Sequence, residues 1–74
     1  MKENIHEIEF RRSLRIECEL PSQNRLELLE IAKGSRYTVR LVAYQKDLRE
    51  VADLHFDDGC LAREVPFASF RFVD

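Results

Sequence analysis

Residues 7–20 read EIEFRRSLRIECEL, and this stretch decides how the rest of the chain is interpreted. From Ile8 onward every even position is apolar except Arg12, while every odd position is polar or charged. A period of two predicts a β-strand that buries one face. Fully extended, the stretch would span roughly 45 Å, whereas a domain of this size has a diameter of only about 30 Å. We therefore predict a bend or a bulge at Arg12, the one polar residue on the apolar face.

The composition is that of a small folded domain. The chain has 74 residues, of which 45% are hydrophobic and 35% are charged, so it is not a disordered segment. A chain this short buries a modest share of its surface, and we expect a partner or a second copy to add stability. We expect one domain spanning residues 1–74, with residues 1–4 frayed.

Residues 23–33 are predicted to form the first of two amphipathic helices. Wound at about 100° per residue, their apolar side chains fall on one broad side. Ser22 is a favourable N-cap, and Gly34 supplies the left-handed residue that commonly ends a helix.

Residues 47–58 are predicted to form the second helix. Asp47 and Glu50 have the spacing of a capping box, and Gly59 would close the helix. A second interpretation stays open, in which residues 48–56 form a strand and Asp58 and Gly59 turn it into a hairpin.

Two further strands complete the predicted fold. Residues 36–45, RYTVRLVAYQ, are apolar on both sides of their alternation, which predicts a central strand covered on both faces. Pro66 restricts any strand that passes through it, so the last strand is placed at residues 68–73, with Phe70 and Phe72 on one face and Arg71 on the other. The order β-α-β-α-β predicts an α+β fold with two helices on a three- to four-stranded sheet. The alternative is a mostly-β small barrel with one helix, in which residues 48–56 are a strand.

Charge is unevenly distributed along the chain. The net charge of −2 combines −2 over residues 1–9, +4 over residues 10–46 and −4 over residues 47–74. The nine arginines suit bidentate contacts with phosphate or carboxylate, and tyrosines could stack on bases. An acidic pI of about 5.7 weighs against nucleic acid, since such binders commonly exceed about 9. The candidate binding surface is Arg11, Arg12, Arg15, Arg36, Arg40, Tyr37 and Tyr44.

The sequence contains no pattern that is specific for catalysis or for a cofactor. The one cluster of possible metal ligands is His55, Asp57, Asp58 and Cys60, and no second pair of ligands accompanies it. We therefore predict a protein without enzymatic activity, metal or cofactor, in which Cys18 and Cys60 are free thiols.

These observations favour a small cytoplasmic binding or adaptor module that works by protein association. The longest apolar run, residues 41–44, is far shorter than a membrane span, and no apolar signal-peptide core lies near Met1, so we expect no membrane partner. The alternative is binding of RNA or single-stranded nucleic acid. A homodimer through an edge strand is also expected. Antiparallel pairing of residues 7–20 about Ser13 would oppose like charges, so any strand-to-strand dimer is predicted to avoid that register.

Overall fold

Seven antiparallel β-strands form one sheet in the computed structural model, which describes residues 4–74. The strands are β1 (Ile5–Phe10), β2 (Leu14–Leu20), β3 (Arg25–Ile31), β4 (Arg36–Lys46), β5 (Arg49–Phe56), β6 (Leu61–Pro66) and β7 (Phe70–Phe72). Their order across the sheet is β3-β2-β6-β5-β4-β1-β7. Within residues 4–74, helical structure is limited to two 3-10 turns, Pro21–Gln23 and Phe67–Ser69. No helix in this described part is long and apolar enough to cross a membrane.

The predicted α+β fold is therefore wrong, and the first predicted helix, residues 23–33, is mostly strand β3. This strand forms a hairpin with β2, in which all seven of its residues are paired. Leu29 and Ile31 face the core, while Leu26 and Leu28 face solvent. Because apolar side chains lie on both faces of the strand, their spacing resembles a helical stripe. Gly34 does have a left-handed φ of 88°, but in the connection to β4.

The second predicted helix, residues 47–58, is also wrong, and the open alternative for residues 48–56 describes this segment better. Strand β5 pairs with β4 and β6, and a bulge interrupts its register with β6 between Ala52 and Leu54. The four buried side chains of β5 are irregularly spaced, because Val51 lies on the outer face and the other three lie on the inner face: Ala52, Leu54 and Phe56. That spacing fits a helix as well as it fits an interrupted strand. The alternative fold, a mostly-β small barrel, is also wrong, because it still contained one helix.

The predicted break at Arg12 is confirmed, since residues 11–13 separate β1 from β2. The strand predicted at residues 36–45 is β4, which lies inside the sheet, but only its inner face is covered: Val42 on its outer face is 48% exposed. The strand predicted at residues 68–73 is the shorter β7, with the predicted faces. Strand β6, which ends at Pro66, was not predicted.

Two short connections force the sheet to curl. Four residue steps join Phe10 of β1 to Leu14 of β2, and four join Pro66 of β6 to Phe70 of β7. Four steps reach at most about 14 Å, whereas each pair of strands is four places apart in the order, or about 19 Å in a flat sheet. The sheet must therefore bend until these strand ends approach each other.

The inner face of the curled sheet forms one core. Edge strands β3 and β7 both contribute to it, through Ile31 and Phe70. Phe10 is fully buried and packs edge-on against Tyr37 and Phe70, with ring centroids 5.8 and 6.1 Å apart. Aromatic contacts therefore link β1, β4 and β7 across the core.

Of residues 1–4, which were predicted to be frayed, only Asn4 lies in the described part of the chain. Residues 1–3 lie outside the described part. Asn4 is held, because its carbonyl oxygen accepts a hydrogen bond from the Leu41 N–H at 2.9 Å.

The turn between β4 and β5 generates a stability prediction. Asp47 and Leu48 have positive φ values of 52° and 64°, and Leu48 is 96% exposed. A side chain in this left-handed region costs about 1–2 kcal/mol, and glycine avoids that cost. We expect Leu48→Gly to raise the free energy of unfolding by up to about 1 kcal/mol in urea titrations. Leu48→Ala, which keeps a Cβ, should stay within about 0.5 kcal/mol of wild type. A loss of stability in the glycine variant would contradict this turn geometry.

Candidate protein-association surface

Strand β3 lies at one end of the sheet and has a single neighbour. Its seven residues pair with β2 without interruption, and no strand of residues 4–74 pairs with its other edge. Backbone N–H and C=O groups of a strand alternate between its two edges. Half of those groups in β3 therefore face away from the sheet, where a further strand could bond to them.

The side chains of β3 leave this edge open to pairing. Leu26 and Leu28 are 62% and 57% exposed on the outer face of the sheet. The strand has no proline, no lysine and no bulge, which are common devices that prevent edge pairing. Glu27 points to the inner face of the sheet, and an inward-pointing charge usually discourages edge pairing. Here, however, Glu27 forms an ion pair with Arg25. The edge of β3 with Leu26 and Leu28 is called the β3 edge below.

A groove of about 590 Å³ adjoins the β3 edge. Strands β2 and β6 are paired only at Cys18 with Ala62 and Glu19 with Leu61, and beyond these pairs they separate. Leu26 on the outer face of β3 borders the groove, and β2 lies between the groove and the unpaired side of β3. The lining comes from both separated strands and from β3: Leu14, Arg15, Ile16, Glu17, Glu19, Leu26, Arg63, Glu64, Val65 and Pro66.

Asp53 explains why β6 turns away from β2. Its Oδ1 accepts hydrogen bonds from the Glu64 backbone N–H at 3.0 Å and from the Tyr44 hydroxyl at 2.7 Å. Glu64 has a positive φ of 57°, which redirects the strand at this point. Arg63 lies beside the same carboxylate, at 3.8 Å from Oδ2, and pairs with Glu19 of β2. A polar network thus fixes one wall of the groove.

The candidate surface predicted from sequence does not form one face. Tyr37 is half-buried against Phe10 and Phe56, so its ring is not presented for stacking as predicted. The Tyr44 side chain is 36% exposed, and its hydroxyl donates to Asp53. Arg15 forms an ion pair with Glu30 at 3.1 Å. Arg40 lies on β4, opposite Ile5 and His55 and away from the β1–β2 connection.

The remaining predicted residues, Arg11, Arg12 and Arg36, lie on neighbouring backbone segments, because the Phe10 N–H donates to the Ser35 carbonyl oxygen at 2.9 Å. The Arg11 N–H donates to the Ser69 carbonyl oxygen at 2.8 Å, which places the β1–β2 connection beside β7. The Lys33 N–H donates to Ser13 Oγ at 3.2 Å, which adds a fourth cation.

Glu9 is the carboxylate on the neighbouring outer face of β1. Arg36 donates to it at 3.0 Å and Arg71 at 3.3 Å, and the hydrogen bond from Arg36 is the main reason that the pKa of Glu9 is lowered. Within residues 4–74, Arg11, Arg12 and Lys33 form no ion pair. The β1–β2 and β3–β4 connections, which contain these three residues, therefore carry an excess of positive charge.

The two cysteines are free and buried in the core. Burial raises the pKa of Cys18 to about 12, and the neighbouring Cys60 thiol adds to this effect. A thiol with such a pKa is a poor nucleophile near neutral pH. Among residues 4–74, no three His, Cys, Asp or Glu side chains are grouped so that they could hold a metal ion.

Leu26 and Leu28 were missed as surface residues because they were assigned to a buried helical stripe. A signal for the hairpin was present in the sequence: residues 21–24, PSQN, are turn formers between two apolar stretches. Asn24 adopts the left-handed conformation of this turn, with φ 51°.

Comparisons of the chain with protein-family models, with curated proteins and with solved structures found no match.

The hydrogen bond between Tyr44 and Asp53 has a measurable consequence. A carboxylate that accepts the phenol proton stabilises the neutral phenol, so the pKa of Tyr44 is raised above its ordinary value. We expect Asp53→Asn to lower this pKa, because it removes the negative charge. Ultraviolet titration of phenolate formation can follow Tyr44 alone in a Tyr37→Phe background. An unchanged or higher pKa in Asp53→Asn would contradict the contact.

Proposed function

We propose that the protein is a small non-enzymatic module that associates with another protein chain through the β3 edge. The observation that carries this proposal is the unpaired edge of a seven-residue strand bearing two exposed leucines. An added strand gains main-chain hydrogen bonds along such an edge, and side-chain contacts set its specificity.

The setting proposed for this association is the cytoplasm. Both cysteines are free, although they neighbour each other in the core. Free thiols are typical of reducing compartments, and the proposed location is consistent with them.

A second candidate function is binding of RNA or single-stranded nucleic acid. It is favoured by the cations of the two connections, since Arg11, Arg12 and Lys33 have no acidic partner within the described residues. Such cations suit phosphate. The position of Tyr37 weighs against it, because its half-buried ring packs against Phe56 and is not presented to stack on a base.

Affinity capture from the native lysate with matched variants tests the proposal. Leu28→Lys places a charge on the β3 edge and removes an apolar contact of about 1.5–3 kcal/mol, so we expect capture to weaken at least about tenfold. Val42→Lys is the control, because Val42 is similarly exposed but lies on β4. Capture should survive nuclease treatment and be retained by the control.

Two results would count against protein association. Capture by Leu28→Lys at the wild-type level would show that the β3 edge is not used. Loss of capture after nuclease treatment, together with its loss when Arg11 and Arg12 are both replaced by Glu, would favour the nucleic-acid function instead.

A further inference from the structure

The sequence of β3 is suited to pairing with itself. In a two-fold antiparallel pair of identical strands, the axis passes beside one residue, which faces its own copy. Residues on either side of that centre then pair symmetrically, and each pair lies on one face of the sheet. The choice of centre therefore decides which side chains meet.

Two centres are unfavourable because like charges meet. A centre at Glu27 or at Glu30 places that carboxylate opposite its own copy. A centre at Leu29 opposes no like charges, but only residues 27–31 of the strand overlap. A centre at Leu26 opposes Arg25 and Glu27, but only three residues of the strand overlap.

Leu28 is the one interior centre that avoids these costs and uses the whole strand. It is the midpoint of Arg25–Ile31, so all seven residues overlap. Leu26 then lies opposite Glu30, Glu27 opposite Leu29, and Arg25 opposite Ile31, so no directly opposed pair has like charges. Glu27 lies diagonal to its own copy, and each Glu27 forms an ion pair with Arg25 of its own chain. On the outer face, Leu28 contacts its own copy and lies diagonal to the copy's Leu26. Four leucines that are more than half exposed in one chain would cover one another.

We infer that the partner of the β3 edge is a second copy of this chain, bound antiparallel about Leu28 so that two seven-stranded sheets become continuous. This inference rests on the proposed use of the β3 edge. The dimer is isologous, so it closes after two copies and leaves no β3 edge for further growth.

Disulfide cross-linking between copies tests the register. In this dimer the two copies of residue 28 are directly opposed, with Cα atoms about 5 Å apart, which a disulfide can bridge. The two copies of residue 26 are offset by four residues, or roughly 13 Å, which is too far. Leu28→Cys should therefore cross-link rapidly on mild oxidation with a diamide reagent, and Leu26→Cys should not. The two leucines are similarly exposed, so each is the matched control of the other.

Two further samples complete the experiment. The double variant Leu26→Cys with Glu30→Cys places opposed cysteines on the two copies and should cross-link. Wild type should not, because Cys18 and Cys60 are buried. Sedimentation equilibrium should show a dimer for wild type and for Val42→Lys, and a monomer for Leu28→Lys.

The outcomes separate this inference from the proposed function. Cross-linking of Leu26→Cys as fast as Leu28→Cys, or a wild-type protein that stays monomeric, would overturn self-pairing about Leu28. If wild type is monomeric but Leu28→Lys still abolishes capture of another protein, the β3 edge serves a different partner and the proposed function stands. If Leu28→Lys changes neither measurement, both fail.

Discussion

The structure depends on the length of two connections. Because residues 11–13 and 67–69 each join strands that are four places apart in the sheet, the sheet cannot be flat. Curling brings the apolar faces of all seven strands around one core, in which Phe10 contacts rings from β4 and β7. The same arrangement determines which backbone groups stay unpaired: β3 ends the order on one side, and the three-residue β7 ends it on the other. The surface proposed for association is thus a consequence of how the chain is connected.

Polar contacts on the outer face shape the surface next to that edge. Asp53 binds the Glu64 N–H and so diverts β6 from β2, which opens the groove that Leu26 borders. Lys46 of β4 pairs with Glu64 of β6 at 2.9 Å, and Arg63 of β6 pairs with Glu19 of β2, so these charges compensate one another across strands. Exposed ion pairs of this kind add little stability. Glu19, opposite Leu26, is compensated in this way, whereas Glu17, opposite Leu28, forms no ion pair within the described residues.

The sequence predicted some elements well because their patterns are local. A period of two across residues 7–20 and the lone Arg12 were sufficient to place a broken strand, and β4 followed from its β-branched and aromatic content. Residues 23–33 and 47–58 were misassigned for a different reason. Leu28 and Leu29 lie on opposite faces of an edge strand, and the bulge between Ala52 and Leu54 disturbs the alternation of β5, so both strands acquired a helical spacing. The partners that distinguish the two structures are distant in sequence. Arg11, Arg12 and Arg36 lie on neighbouring backbone segments, but no local pattern showed that Tyr37 packs against the core.

Amide hydrogen exchange along residues 25–31 tests the central claim most directly, namely that these residues form an edge strand with one unpaired side. Measured on Leu28→Lys, in which self-pairing is removed, slow and fast amides should alternate, because successive N–H groups point toward β2 and toward solvent in turn. Uniformly slow exchange through these residues would contradict the account, since it would indicate a helix or a strand that is paired on both sides.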